Sequence, residues 1–441
     1  MPVEPVTRVL LCFGVALLFV YFGLYTAIFA LLVRRLGLWA APLIWPLLEF
    51  VKDLGQVAFP WDLLGYSMTP YLPFIQPAAL GGVYLVSSWV VLINLLLYRH
   101  VCFAVAKEAV PVARRVAYGA GLVVTFAAPY VFAYLHVKPT EHWFNVSIVQ
   151  PNVSPLEKGD RSSRERIYAD LLGLTAYAGL TRPALIVCPE TATLVDVTEE
   201  DSEIGGRMHA LVDSLGIDVF TGTPLYDSAA SNYSNGAVLL RPGEGSVAQR
   251  YRKMRLVPFS EKIPYSDAVP FLRKFIGTRD MGNWIIGTRP TVFDWSEGTL
   301  SCLICYEAIF PDLAREFVRR GADLLVVVTN DGWFGRLPGS SQHAELAVMR
   351  AVEQGVPMVR SANNGISFIV DPYGRVVKKT ELFVKSVLRG PVWKPIAPTP
   401  YRRFGDWFIV LCLAGTAGFA AFRVVRAVGS RRKRKNRRSQ K

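Results

Sequence analysis

The chain is poor in the residues from which metal centres and disulfide frameworks are built. It has five histidines and six cysteines in 441 residues. The cysteines are Cys12, Cys102, Cys188, Cys302, Cys305 and Cys412, and three of them fall in or near long apolar runs. That placement argues against the disulfide lattice of a small secreted domain. Cys302 and Cys305 have CxxC spacing, but no second cysteine pair or histidine cluster accompanies them, so neither a metal nor another cofactor is expected. Side chains alternate along a strand, so positions three apart point to opposite faces. Cys302 therefore reads as core.

Acidic residues are also scarce: 35 Asp and Glu against 49 Lys and Arg, a formal charge of +14. The excess is uneven, because residues 431–441 alone carry eight positive charges. The basic residues flank apolar runs, which is the positive-inside pattern of a membrane protein rather than a nucleic-acid footprint. No nucleic-acid partner is expected. The first apolar run, at about 9–33, is too long for the core of a cleavable signal peptide.

What is abundant is apolar surface. Hydrophobic residues make up 51% of the chain and the mean hydropathy is +0.29. Five membrane spans are expected, at about 9–33, 38–51, 81–97, 116–135 and 407–425. The second is short and ends at Glu49 and Lys52-Asp53, so a tilted or partly buried helix is the competing reading. Arg34-Arg35, the 99–115 segment and the tail after Arg423 mark the inner face. Alternation then places Met1, the 52–80 segment and the 140–400 region outside, in a Gram-negative periplasm. The expected division is a helical bundle over 1–139, a large outer domain over 140–400, a last span over 401–428 and a basic cytoplasmic tail over 429–441.

The 140–400 region alternates short apolar runs with helical segments, which predicts an α/β sandwich. Strands are expected at about 145–150, 184–188, 217–222, 236–240, 291–295, 299–304, 323–329, 358–361 and 366–371. Helices are expected near 163–179, 205–215, 312–320 and 342–354. Asp371-Pro-Tyr-Gly374 reads as a turn between two strands.

Ser301-Cys-Leu-Ile-Cys-Tyr-Glu-Ala-Ile309 puts a thiol at the end of a buried apolar run. A thiol there can be activated as a nucleophile, although buried cysteines are usually inert packing. Val187-Cys-Pro-Glu-Thr191 adds Glu190, and Tyr251-Arg-Lys-Met-Arg255 adds Lys253. Glu, Lys and Cys in that order, each at a strand end or loop, resemble the constellation of the nitrilase superfamily.

Further segments narrow the resemblance. They are Phe59-Pro-Trp61, Gly65-Tyr66, Gly81-Gly-Val-Tyr84, Leu256-Val-Pro-Phe-Ser-Glu261, Thr329-Asn-Asp-Gly-Trp-Phe-Gly335, Met349-Arg-Ala-Val-Glu353 and Ser361-Ala-Asn-Asn-Gly365. Together they resemble the bacterial apolipoprotein N-acyltransferases, the membrane branch of that superfamily, over nearly the whole chain. The resemblance implies an αββα sandwich standing on a transmembrane bundle in the inner membrane. It implies transfer of an acyl chain from a phospholipid to the α-amino group of an S-diacylglyceryl cysteine at a lipoprotein's N-terminus. Two other readings compete: a membrane-tethered amidase with water as acceptor, and an inactive nitrilase-like scaffold.

The resemblance also implies roles. Cys305 is the nucleophile, Glu190 the general base, and Lys253 the cation for thiolate and oxyanion. Glu261 is expected to orient Lys253 or Glu190. The Tyr306 amide is a further oxyanion donor, and Glu307 an orienting group; purely structural roles are the alternative for both side chains. Trp61, Tyr66, Trp333 and Phe334 are expected either to meet lipid or to pack. Three departures stand out. About three membrane helices before Phe59 are missing relative to the family. Phe-Ser-Glu261 stands where Phe-Gly-Glu is usual, and Cys188 where Trp is common. The missing helices are expected to reflect where the chain starts rather than a failed fold.

Overall fold

The computed structural model describes residues 5–105, 110–199, 202–245, 247, 249–266, 268 and 284–438. Helix α1 (Pro5–Leu36) runs away from the catalytic region and α2 (Ala41–Lys52) returns towards it. A short α3 (Leu72–Ile75) precedes α4 (Ala78–Val105) and α5 (Val112–His136). Near the other end of the chain, α11 (Pro400–Phe404) leads into α12 (Trp407–Arg438).

Four of these helices are long and apolar enough to cross a membrane: α1 over Cys12–Leu36, α4, α5, and α12 over Trp407–Gly429. The second expected span is corrected to a 12-residue helix containing Pro46. At 1.5 Å per residue it covers about 18 Å, short of a hydrocarbon core of about 30 Å. Its last turn buries Glu49 and Lys52 against protein, and Lys52 is paired with Asp62. The expected position of Met1 lies outside the described residues.

Between the spans sit two six-stranded sheets. The first has the order β12-β1-β2-β3-β4-β5 and the second β11-β10-β9-β8-β7-β6. The first contains β1 (His142–Gln150), β2 (Leu185–Val187), β3 (Asp218–Asp227), β4 (Asn232–Leu240), β5 (Arg250–Arg252) and β12 (Ser386–Trp393). The second contains β6 (Phe293–Trp295), β7 (Gly298–Ile304), β8 (Leu324–Thr329), β9 (Met358–Ala362), β10 (Phe368–Val370) and β11 (Val376–Lys379). In each sheet three neighbouring strands are parallel, β1-β2-β3 and β7-β8-β9. The turn expected at Asp371–Gly374 joins β10 to β11, closed by Gly374 N donating to Asp371 O at 3.0 Å.

Alternation along β2 shows how the layers form. Leu185 and Val187 face the other sheet, while Ile186 points outward, as does Cys188 just beyond the strand. There they meet Tyr168 and Leu171 of α7 (Arg164–Gly179) and Met208 and Val212 of α8 (Glu203–Leu215). The second sheet is covered by α9 (Pro311–Arg319) and α10 (Gly339–Gln354). The result is the expected αββα sandwich. Cys302 is fully buried between the layers, as its strand position implies.

The sandwich is fastened to the bundle at named points. Helix α4 breaks at Gly81–Gly82, where Gly82 has φ 71°. A Cβ there would lie 2.7 Å from the Tyr401 ring, so glycine admits both the backbone turn and the close approach. Beyond the break, Val83 N donates to Glu353 Oε1 of α10 at 2.9 Å. Glu353 is paired with Arg350, which donates to Ile309 O at 2.8 Å. The membrane helix and the segment that follows Cys305 thus share one buried ion pair.

Candidate active site

The carboxyl ends of the parallel strands converge, which is where open α/β sheets place their sites. Strand β7 ends at Ile304, and Cys305 turns abruptly with φ 52° into a 3-10 turn, Cys305–Ile309. A left-handed cysteine costs on the order of 1 kcal/mol or more and persists only where neighbours enforce it. Here Glu307 Oε2 accepts from Ile304 N at 2.8 Å. From α10, His343 Nε2 donates to Cys305 O at 3.0 Å. His343 Nδ1 is 2.8 Å from Asp331 Oδ1, and Asp331 Oδ2 accepts from Arg360 at 2.8 Å. Burial works against the Asp331 charge, but Arg360 and His343 hold its carboxyl well below the ordinary range.

Lys253 follows β5 and is fully buried. Its Nζ is 2.8 Å from Glu261 Oε1 and 3.6 Å from Glu190 Oε1. Glu190, at the end of β2, accepts from Asn235 Nδ2 at 2.7 Å. The same amide reaches Glu261 Oε1 at 3.3 Å, and Val257 N donates to Glu261 Oε2 at 2.8 Å. Glu261 therefore holds Lys253 directly and shares Asn235 with Glu190. Burial opposes the lysine charge, but Glu261 and Glu190 outweigh it and keep the ammonium charged well above its usual range.

The thiol departs from expectation. Burial, reinforced by the Glu190 carboxylate, pushes Cys305 up to about 12 despite Lys253. The resting group is then a thiol, not a preformed thiolate, and its proton must leave during attack. Alkylation of Cys305 by iodoacetamide should accordingly show no inflection between pH 8 and 9.5. Mass spectrometry of the modified peptide over that range reads this out. A plateau reached by about pH 9, where an ordinary thiol titrates, would contradict it.

Glu307 links two segments of the site. It accepts from Tyr251 Oη at 2.7 Å, Met254 N at 2.6 Å, Arg255 N at 3.0 Å and Ile304 N at 2.8 Å. One carboxylate thus ties the Lys253 segment to the turn that begins at Cys305. Burial pushes it up to about 7. The Tyr306 side chain is also structural, its hydroxyl donating to Ala58 O at 2.7 Å.

The four aromatic positions separate. Tyr66 is buried; its hydroxyl donates to Ile309 O at 3.0 Å and its ring lies under Arg350. Of the two readings left open for it, this corrects the lipid-facing one in favour of packing, since only 6% of Tyr66 is exposed. Trp61 stacks on His343 with centroids 5.4 Å apart and meets Phe334 at 5.6 Å. Trp333 is 78% exposed. A cavity of about 210 Å³ adjoins the site, lined by Gln56, Ala58, Met254, Leu256, Tyr306 and Phe310 among others.

Sequence reasoning passed over Asn235, His343, Arg360 and Lys158. Lys158 Nζ donates to Glu190 O at 3.1 Å and Thr191 O at 3.3 Å. Burial pushes its ammonium down to about 8, against the pull of Glu190. A signal existed for His343, one of few histidines, set on a helix beside apolar neighbours. For Asn235 the signal was an amide in the middle of a strand.

Comparison with known proteins identifies the family. The sequence profile of the carbon-nitrogen hydrolases matches residues 146–392, and that of the apolipoprotein N-acyltransferase N-terminal domain matches residues 4–96. The apolipoprotein N-acyltransferase of Geobacter metallireducens is 37% identical over 91% of this chain and 78% of its own length. That of Chlorobaculum tepidum is 32% identical over 88% and 76%. Among solved structures, an amidase from Nesterenkonia sp. aligns with a TM-score of 0.44 at 20% identity, over 61% of this chain and 95% of its own. With the profiles covering both the sandwich and the helices before it, the chain belongs to the apolipoprotein N-acyltransferase family.

Proposed function

We propose that Cys305, Glu190 and Lys253 carry out the family's acyl transfer in two half-reactions. The enzyme is a membrane-bound acyltransferase, and its family acts on lipid and lipoprotein substrates. In the first half-reaction Cys305 Sγ attacks the ester carbonyl carbon of a phospholipid. Glu190 takes the thiol proton as the C–S bond forms. The tetrahedral intermediate collapses, the ester C–O bond breaks, and the proton passes to the leaving glycerol oxygen. A lysophospholipid departs and a thioester remains on Cys305.

In the second half-reaction the α-amine of the diacylglyceryl cysteine attacks the thioester. Glu190 takes a proton from the nitrogen, a C–N bond forms, the C–S bond breaks, and the proton returns to sulfur. In both halves Lys253 Nζ and the Tyr306 N–H stabilise the oxyanion. The observation that carries this reading is the buried lysine, 3.6 Å from Glu190, beside a thiol whose proton needs a base. Trp61, Phe334 and the exposed Trp333 border this region from the bundle side and are the groups proposed to meet acyl chains.

Radiolabelled acyl phospholipid tests the activity. Label should move to a diacylglyceryl lipopeptide and, without acceptor, should stay on the protein. Label released into water as free acid would instead identify an amidase-like hydrolase.

We also propose that the 140–400 domain is periplasmic and the 429–441 tail cytoplasmic, with 1–139 and 401–428 in the inner membrane. The support is that Arg34, Arg99, Arg423 and Arg426 gather at the end of the bundle remote from the sandwich. Reporter fusions after Leu135 and after Arg426 should report opposite compartments. Two signals from the same side would overturn this orientation.

A further inference from the structure

The remote end of the bundle holds a second cavity, of about 550 Å³, between α1, α4 and α12. Its volume falls within the range of about 300–1,000 Å³ typical of small-ligand sites. Arg34, Arg99, Arg423 and Arg426 line it, and among the described residues no carboxylate does. Among the described residues none of the four forms an ion pair. Four guanidinium groups around one space repel each other unless an anion lies between them.

The cavity is built rather than accidental. Arg423 Nε donates to Leu36 O at 3.0 Å, which fixes that side chain across the helix ends. Gly37 makes room for it: with φ 105°, a Cβ there would lie 2.6 Å from Arg423 Nη2. Arg99 lies over the rings of Phe103 and Tyr118 at 5.7 and 5.8 Å, and its Nε is buried with no hydrogen-bond partner. Trp39, Phe419 and Phe422 supply apolar walls. Along α4, Arg99 is sixteen residues beyond Val83, or about 24 Å from the sandwich junction. The cavity is therefore separate from the acyl-transfer site.

We propose that this cavity binds a phosphate-bearing anion, supplied by the head group of an anionic phospholipid. Guanidinium forks match phosphate oxygens bidentately. Basic pockets between helices at a membrane surface take such head groups. The apolar walls favour a lipid over a free ion, since they would cover the glycerol and first acyl carbons.

The test uses the full chain, delipidated in a neutral detergent, with bound lipid counted by native mass spectrometry. Wild-type protein should retain phosphatidylglycerol in preference to phosphatidylcholine, and less of it as salt rises. The double variant Arg34→Gln/Arg426→Gln removes two charges whose side chains make no hydrogen bond among the described residues. It should bind phosphatidylglycerol about tenfold or more weakly, while acyl-enzyme still forms on Cys305. The single variants should fall between, which keeps the test decisive if the double variant does not fold. Equal retention of the two lipids, or undiminished phosphatidylglycerol binding by the variants, would overturn the site. Displacement of the lipid by inorganic phosphate alone would assign the cavity to a free anion and overturn the lipid source.

Discussion

Cys305→Ala leaves no acyl adduct on the protein and no transfer to acceptor, the largest effect expected of any substitution here. Incubating the purified enzyme with phospholipid and no lipoprotein should add one acyl mass to the peptide containing Cys305. Neutral hydroxylamine should remove it, as expected for a thioester. The substitution deletes the only cysteine at the strand-end turn, whereas Cys302 and Cys188 are fully buried. Cys302→Ala and Cys188→Ala should therefore keep the adduct. An adduct that survives Cys305→Ala would remove the nucleophile assignment and the mechanism with it.

Lys253→Met should lower acyl transfer by about 10²–10³-fold, the usual cost of removing one oxyanion donor. A second effect should accompany it. The lysine is fully buried, and its loss leaves Glu190 and Glu261 facing each other across one amide. Removing one partner of a buried charge pair costs about 3–5 kcal/mol, so the variant should also melt earlier. Thermal unfolding and acyl-enzyme yield, measured on the same folded fraction, separate the two effects. Normal activity in Lys253→Met would show that the lysine only supports its loop.

Glu190, Lys253 and Cys305 were legible as candidates because each sits in a short, self-announcing run near a strand end. Most strands and helices of the sandwich were legible for a similar reason: their apolar periods are local. What escaped was set by contacts between distant segments. Glu307 looked like a neighbour of the nucleophile, but its partners at Met254 and Arg255 lie about fifty positions away. Strand β12 was missed because Gly390 and Pro391 interrupt its pattern. It is the edge strand of its sheet, where a missing N–H is tolerated. Tyr66 was left open between meeting lipid and packing, and the contacts with Arg350 and Ile309, distant in sequence, show it enclosed. In α2, apolar content suggested a span, but its length and its buried Glu49 and Lys52 rule one out.

The ion pair of Arg350 and Glu353 joins the start of α4's regular turns to the carbonyl of Ile309, four residues past the nucleophile. Such a linkage works as a depth gauge. It fixes how far Cys305 stands from the helix that crosses the bilayer, without a flexible connector in between.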